Sequence, residues 1–161
     1  MRSAFQGSVV WYYQELARRI GPRVMEDYLR LTDYGNGSVD GGVDRFWLDG
    51  GLRISADRQI AFLRRLRAGD LPLSRRNQRL VRELMIVEEA PDYVIHAKTG
   101  LALRGESPLG WWVGWVEQGG NALFFALNME RLAEPEPPLA EFAAARMRIV
   151  KRILKDELGA L

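Results

Sequence analysis

The amino-acid sequence predicts an α+β domain: a helical region, then an antiparallel β-sheet, then one C-terminal helix that covers it. Three observations carry this prediction. Apolar residues recur at helical spacing in four segments before residue 92. From Tyr93 the spacing shortens to the two-residue period of a strand, and Gly119-Gly120 separates two apolar runs as a tight hairpin turn would. Helical spacing returns only after the proline-rich stretch 130–138. The division expected within the single domain 1–161 is a helical region over 1–92 and a sheet with its helix over 93–161.

The elements follow in order. Ser8 is positioned to open a first helix, with Val9, Tyr13, Leu16, Ala17 and Ile20 on one face and Gly21-Pro22 as its stop. A second begins at Pro22 and carries Val24, Met25, Tyr28 and Leu29. Asp33 to Gly37 is rich in turn formers, and 38–54 is too glycine-rich for a helix yet too apolar for a linker, so it predicts an ordered loop. Ser55 caps a third helix that ends at Gly69, and Ser74 caps a fourth with Leu80, Val81, Leu84 and Met85 inward. Strands are expected at 93–98, 110–118 and 121–129. Both faces of these strands are apolar, which calls for a layer on each side. A last helix runs from about Leu139 to Leu158.

Composition bounds the function. The chain has 161 residues, 47% of them hydrophobic and 27% charged, enough for a packed core. A net charge of +2, with arginines interleaved among helical apolar positions, gives no footprint for nucleic acid. No cysteine is present, so there is no thiol nucleophile, disulfide or thiolate metal site. One histidine, His96, is too few for a multi-histidine metal site, and no metal ligand set is expected. No apolar run approaches a membrane span, and the first residues lack the apolar core of a signal peptide. Read literally from Met1, the chain is expected in the cytoplasm, without a membrane partner.

Chemistry concentrates first at Tyr93 to Gly100, a strand running into a cationic corner. Lys98 offers a point charge, Thr99 a hydroxyl, and Gly100 close approach to the backbone. Such a corner suits an acidic, acyl-type substrate laid along a strand edge. A Lys-Thr-Gly triplet alone is common. Three further stretches precede it in order: Ser8-Val9-Val10, Tyr34-Gly35-Asn36 and Phe46-Trp47-Leu48-Asp49-Gly50. Trp111 to Glu117 and Arg146-Met147-Arg148-Ile149 follow it. In this order and spacing the chain resembles the class D serine β-lactamases, the oxacillinases, and equally the penicillin-sensing domains of β-lactam-responsive membrane receptors. The resemblance covers essentially the whole chain.

The resemblance implies roles residue by residue. Ser8 looks like the serine of an S-x-V motif that relays a proton towards the leaving nitrogen; a plain helix N-cap is the alternative. Lys98 is similar to the lysine that polarises that serine and helps seat the substrate carboxylate. Thr99 would hydrogen-bond the carboxylate, Gly100 would admit it, and the Leu101 N–H would act as an oxyanion donor. Arg146, by its R-x-x-I spacing, matches the carboxylate-anchoring arginine, able to grip at two points, with Arg148 as the alternative position. Trp47 resembles a tryptophan whose indole N–H steadies a carboxylated lysine, and Val10 and Leu48 would wall that lysine or simply pack. Tyr34, Gly35 and Asn36 are expected to shape a turn. His96 shares a strand face with Lys98 and is expected to be structural.

One component is missing. The family reaction uses a serine with a lysine three residues later, and no serine here has that neighbour: position +3 holds Gln6, Trp11, Gly41, Arg58, Asn77 and Gly110 for the six serines. The expectation is therefore a C-terminal portion of such a domain, begun at an internal Met, with neither the nucleophile nor the carboxylated lysine and no other cofactor. Catalysis by this chain alone should be absent. Residues 121–129 should form an open apolar edge that exposes Leu123, Phe124 and Phe125 and could pair two copies. A cavity or an exposed apolar patch should mark the place of a missing helix. Three readings follow: a β-lactam hydrolase of periplasmic lineage, a sensor acylated without turnover, or an inert fragment. Substrate range would depend on loop 101–109.

Overall fold

In the computed structural model, the residues described are 1–102, 108–131, 138–156 and 159. The proline-rich connection and most of loop 101–109 lie outside them. The elements are α1 (Arg2–Gln6), α2 (Val10–Ile20), α3 (Pro22–Leu31), α4 (Ala56–Ala68), α5 (Arg75–Leu84), β1 (Ile86–Glu89), β2 (Tyr93–Ala102), β3 (Leu109–Gln118), β4 (Asn121–Glu130) and α6 (Leu139–Asp156). The α+β order stands. Two compact units part between Leu84 and Met85, ahead of the expected boundary at 92, because Ile86–Glu89 is a strand.

The first unit is helical. Ser8 does not begin a helix. A short helix precedes it, and Val9, not Ser8, is the N-cap of α2, with no side-chain cap bond. Gly21 (φ +82°) closes α2, and Pro22 starts α3 where its missing N–H costs nothing. Ser55 and Ser74 cap α4 and α5 as expected, accepting from the N–H groups of Arg58 and Asn77 at 3.2 Å each. Gly69, at φ +78°, ends α4 in the left-handed conformation.

Loop 38–54 is tied down by Asn36. Its Oδ1 accepts from Arg53 N–H at 3.0 Å, and its Nδ2 donates to the Gly51 carbonyl at 2.9 Å. Gly35 (φ +59°) lies so close to the Arg53 carbonyl that no Cβ would fit. Tyr34 packs edge-on against Phe62 and donates to Gln59 Oε1 at 2.9 Å. The Tyr-Gly-Asn triplet therefore builds the turn that holds this loop.

The second unit is an antiparallel sheet in the order β1-β2-β3-β4. Gly119 and Gly120, with φ of +56° and +82°, make the two-residue turn between β3 and β4. The strands run further than the sequence predicts, because β2 and β3 pair continuously from Tyr93↔Gln118 to Ala102↔Leu109. One face packs Ile95, Ala97, Trp112, Val116 and Phe125 against Val150 and Leu154 of α6. The other face buries Trp115 completely, with His96 stacked on it at 4.6 Å and nearly parallel.

β4 is a sheet edge, as expected, but its aromatic residues are not displayed there. Phe125 is buried and Phe124 is half-buried, so only Leu123 counts as exposed. In the first unit, Val10 and Trp11 stand exposed next to Ser8, and Trp11 is 69% exposed.

Candidate functional site

The two units each hold part of the motif set. In the first, Ser8 follows α1 with φ +49°, a left-handed conformation that a serine adopts only at a cost of about 1 kcal/mol. Its N–H donates to the Phe5 carbonyl at 3.2 Å, and Val9 N–H to Ala4 at 3.0 Å, so the turn is held by the backbone. This geometry removes the N-cap reading of Ser8. Val10 opens α2 and is 44% exposed. Trp47 packs edge-on to buried Phe46 at 4.9 Å, and Leu48 sits in the same turn, its N–H donating to Arg45 at 2.8 Å. Gln14 Nε2 and Arg18 of α2 both reach Asp44, at 3.2 and 2.7 Å, and attach this loop to the helix.

In the second unit Lys98, Thr99, Gly100, Leu101 and Arg146 come together at the end of β2. Lys98 Nζ donates to the Thr99 carbonyl at 2.8 Å and reaches Thr99 Oγ1 at 3.3 Å. Burial, and then the nearby Arg146 charge, lower the Lys98 pKa from its ordinary value. The Arg146 pKa is also lowered, by burial. Two positive groups thus lie near one another at a strand end, with Lys98 against the Thr99 hydroxyl.

Arg146 is a buried residue of an otherwise amphipathic helix, whereas Arg148 is exposed. Its Nε donates to the Ala143 carbonyl at 2.9 Å, and its Nη1 to the Gly100 carbonyl and to the Trp111 carbonyl, the latter at 3.1 Å. These bonds use the Nε hydrogen and both Nη1 hydrogens. Among the described residues only Nη2 is left to meet a ligand. Its Nε and Nη1 are thus engaged with backbone carbonyls of α6, β2 and β3.

Gly110 makes the seat possible. A Cβ there would lie 2.7 Å from Arg146 Cδ and 3.0 Å from Phe142 Cε1. Sequence reading missed Gly110 and Phe142. The available signal was a glycine inside an apolar strand, which marks close approach by something else. Among the described residues no cluster of His, Cys, Asp or Glu could hold a metal ion, and no helix is long and apolar enough to cross a membrane.

Comparison with known proteins fits this geometry. Residues 1–155 match the family model described as the penicillin-binding protein transpeptidase domain, and the chain belongs to that family. Its relatives are class D β-lactamases. It is 48% identical over 155 residues to β-lactamase OXA-48 of Klebsiella pneumoniae, covering 96% of this chain and 56% of that protein. It is 47% identical over 160 residues to β-lactamase OXA-5 of Pseudomonas aeruginosa, covering 98% and 58%. Among solved structures, the class D β-lactamase YbXI from Nostoc superposes with a TM-score of 0.90 at 42% identity, over 99% of this chain and 65% of that one. The class D β-lactamase from Sebaldella termitidis gives 0.91 at 31% identity, over 99% and 63%. The chain thus spans a little over half the length of the curated relatives it matches.

Proposed function

We propose that this chain carries the carboxylate-binding wall and the oxyanion donor of a class D β-lactamase site, and that its ligands are β-lactam acids. The observation that supports this reading most is the buried Arg146. The carbonyls of Ala143, Gly100 and Trp111 hold it, its charge acts on Lys98, and among the described residues its Nη2 makes no hydrogen bond. In a partly buried corner each charge acts through a lower dielectric than on an open surface, which strengthens its pull on a carboxylate.

In this reading the substrate carboxylate lies against Arg146 Nη2, Thr99 Oγ1 and Lys98 Nζ. The Leu101 N–H receives the negative charge that develops on the acyl oxygen. Ser8 carries a proton towards the leaving nitrogen. Trp47, with Val10 and Leu48, serves the environment of the carboxylated lysine in the complete site.

No serine of this chain has a lysine three residues on, so the acylation step lacks its usual nucleophile and base. The chain on its own binds without opening the ring. The partner reading includes self-association along the β4 edge, where Asn121–Glu130 have no outer neighbour in the sheet among the described residues.

Intact-mass measurement after benzylpenicillin treatment, together with a chromogenic cephalosporin assay, tests this. The expected result is no penicilloyl adduct and no turnover by the chain alone. A stable adduct favours the sensor reading, and turnover abolished by Lys98→Ala shows that a nucleophile was overlooked.

A further inference from the structure

We propose that Gly110 is a positioning residue of this site. By lacking a side chain it seats Arg146 over the β2–β3 seam, and through Arg146 it fixes the direction in which the Leu101 N–H points. The inference rests on the reading of the preceding subsection and extends it to residues outside the cationic corner.

Phe142 and Arg146 stand four residues apart on α6, so they lie on one strip of the helix. That strip meets β3 at buried Gly110, the register partner of Leu101. Any Cβ at 110 would come within 2.7 Å of Arg146 Cδ and 3.0 Å of the Phe142 ring. The arginine stem would have to rise, and its guanidinium would leave the strand carbonyls.

Those carbonyls belong to Gly100 and Trp111, which are themselves register partners. One nitrogen can touch both only if both point into the seam between β2 and β3. The strand alternation agrees. Ala97 N–H donates towards β1, to the Met85 carbonyl at 2.7 Å, so residues of the same parity face that edge and Gly100 faces β3. Leu101 shares the parity of Ala97. Its N–H therefore points out of the free edge of β2, beyond His96, where pairing with β1 ends. A planar trans peptide couples the two directions: a Gly100 carbonyl held inward holds the Leu101 N–H outward.

A glycine at the hinge of that peptide makes rotation easy, and neither the edge position nor β1 restrains it. On its inner side the peptide is held by pairing with β3; the Arg146 bond to the Gly100 carbonyl adds a second hold on the same oxygen, and empty space at Gly110 lets it form.

The test uses the whole 161-residue chain labelled with ¹⁵N. In Gly110→Ala we expect exchange of the Arg146 Nη hydrogens with water to quicken at least tenfold and the Leu101 amide resonance to move. The Ile95 and Val116 amides should keep their protection. Benzylpenicillin affinity should fall in Gly110→Ala and in Arg146→Ala, and the double variant should bind as Arg146→Ala does. Unchanged Arg146 Nη hydrogens and Leu101 amide, or losses that multiply in the double variant, would overturn the proposal. Should Gly110→Ala not fold, Arg146→Lys keeps the space and the charge, but its ammonium ends one atom short of the Nη1 position that meets the two carbonyls. The Leu101 amide should move there too, and an unmoved resonance counts against the proposal. Absence of penicillin binding by the unmodified chain would refute the preceding reading alone, since the exchange measurements need no ligand and still decide the role of Gly110.

Discussion

At the scale of single residues, Lys98 and Arg146 determine how the corner responds to pH. Burial and the Arg146 charge both disfavour the protonated Lys98, so its pKa in the folded chain lies below the unfolded value. The sign for stability follows. Below the folded pKa the buried charge is a standing cost, and stability rises as pH climbs from the folded towards the unfolded value. Ligand binding behaves oppositely, because a carboxylate needs the charged amine. Affinity for a β-lactam acid should decline as pH rises through the lowered Lys98 pKa, earlier than an ordinary lysine would allow. Arg146→Ala should shift that decline to higher pH, which a pH series of binding isotherms would reveal.

Gln78 makes a different residue-level point. It is buried, accepts from Leu71 N–H at 3.1 Å, and donates to the carbonyls of Leu71 and Leu73 at 2.9 Å each. Gln78→Leu would strand Leu71 N–H and the Leu73 carbonyl in the turn between α4 and α5, while the Leu71 carbonyl keeps the Leu73 N–H. Urea unfolding should show a loss of about 2–4 kcal/mol.

At the scale of elements, the close seam between β2 and β3 depends on Gly114. A Cβ there would collide with the His96 carbonyl and approach Ala97 Cα to 2.8 Å. Gly114→Ala should cost about 2–3 kcal/mol and speed amide exchange along both strands. By contrast, the tie between β1 and α6 is a surface one. Lys151 pairs with Glu88, which also accepts from Tyr93 Oη at 2.6 Å. These bonds, the Lys151 one foremost, lower the Glu88 pKa, so its stabilisation is present above the ordinary carboxylate range and fades as pH falls through the folded value. Glu88→Gln should cost less than about 1 kcal/mol, since both side chains remain partly solvated.

The elements were unequally legible in the sequence. Period-two apolar runs and Gly119-Gly120 announced β2, β3 and β4, because a hairpin needs local signals only. β1 was hidden because α5 passes into it at Met85-Ile86 with no glycine or proline between, and a register shift at Ile86/Glu88 breaks its alternation. At Ser8 a capping serine and a left-handed serine have the same sequence, and only the backbone angle separates them. The site motifs were legible as residue types. What Arg146 does with its donors was not, since that depends on carbonyls 35 and 46 residues away in the chain.

At the scale of the molecule, β4 lies at the edge of the sheet among the described residues, with Leu123 exposed. If that edge pairs copies of the chain, sedimentation should show concentration-dependent dimers, and Leu123→Lys should abolish them. Loss of monomer without Leu123 dependence would point to a different surface.

The central claim is that a carboxylate is what this wall holds. Benzylpenicillin and its methyl ester, titrated in parallel into the labelled chain, test it most directly. The acid should perturb the amides of Lys98 to Leu101 and the Arg146 side chain, the ester should not, and Arg146→Ala should weaken the acid at least tenfold. Equal binding of acid and ester, or acid binding untouched by Arg146→Ala, would contradict it.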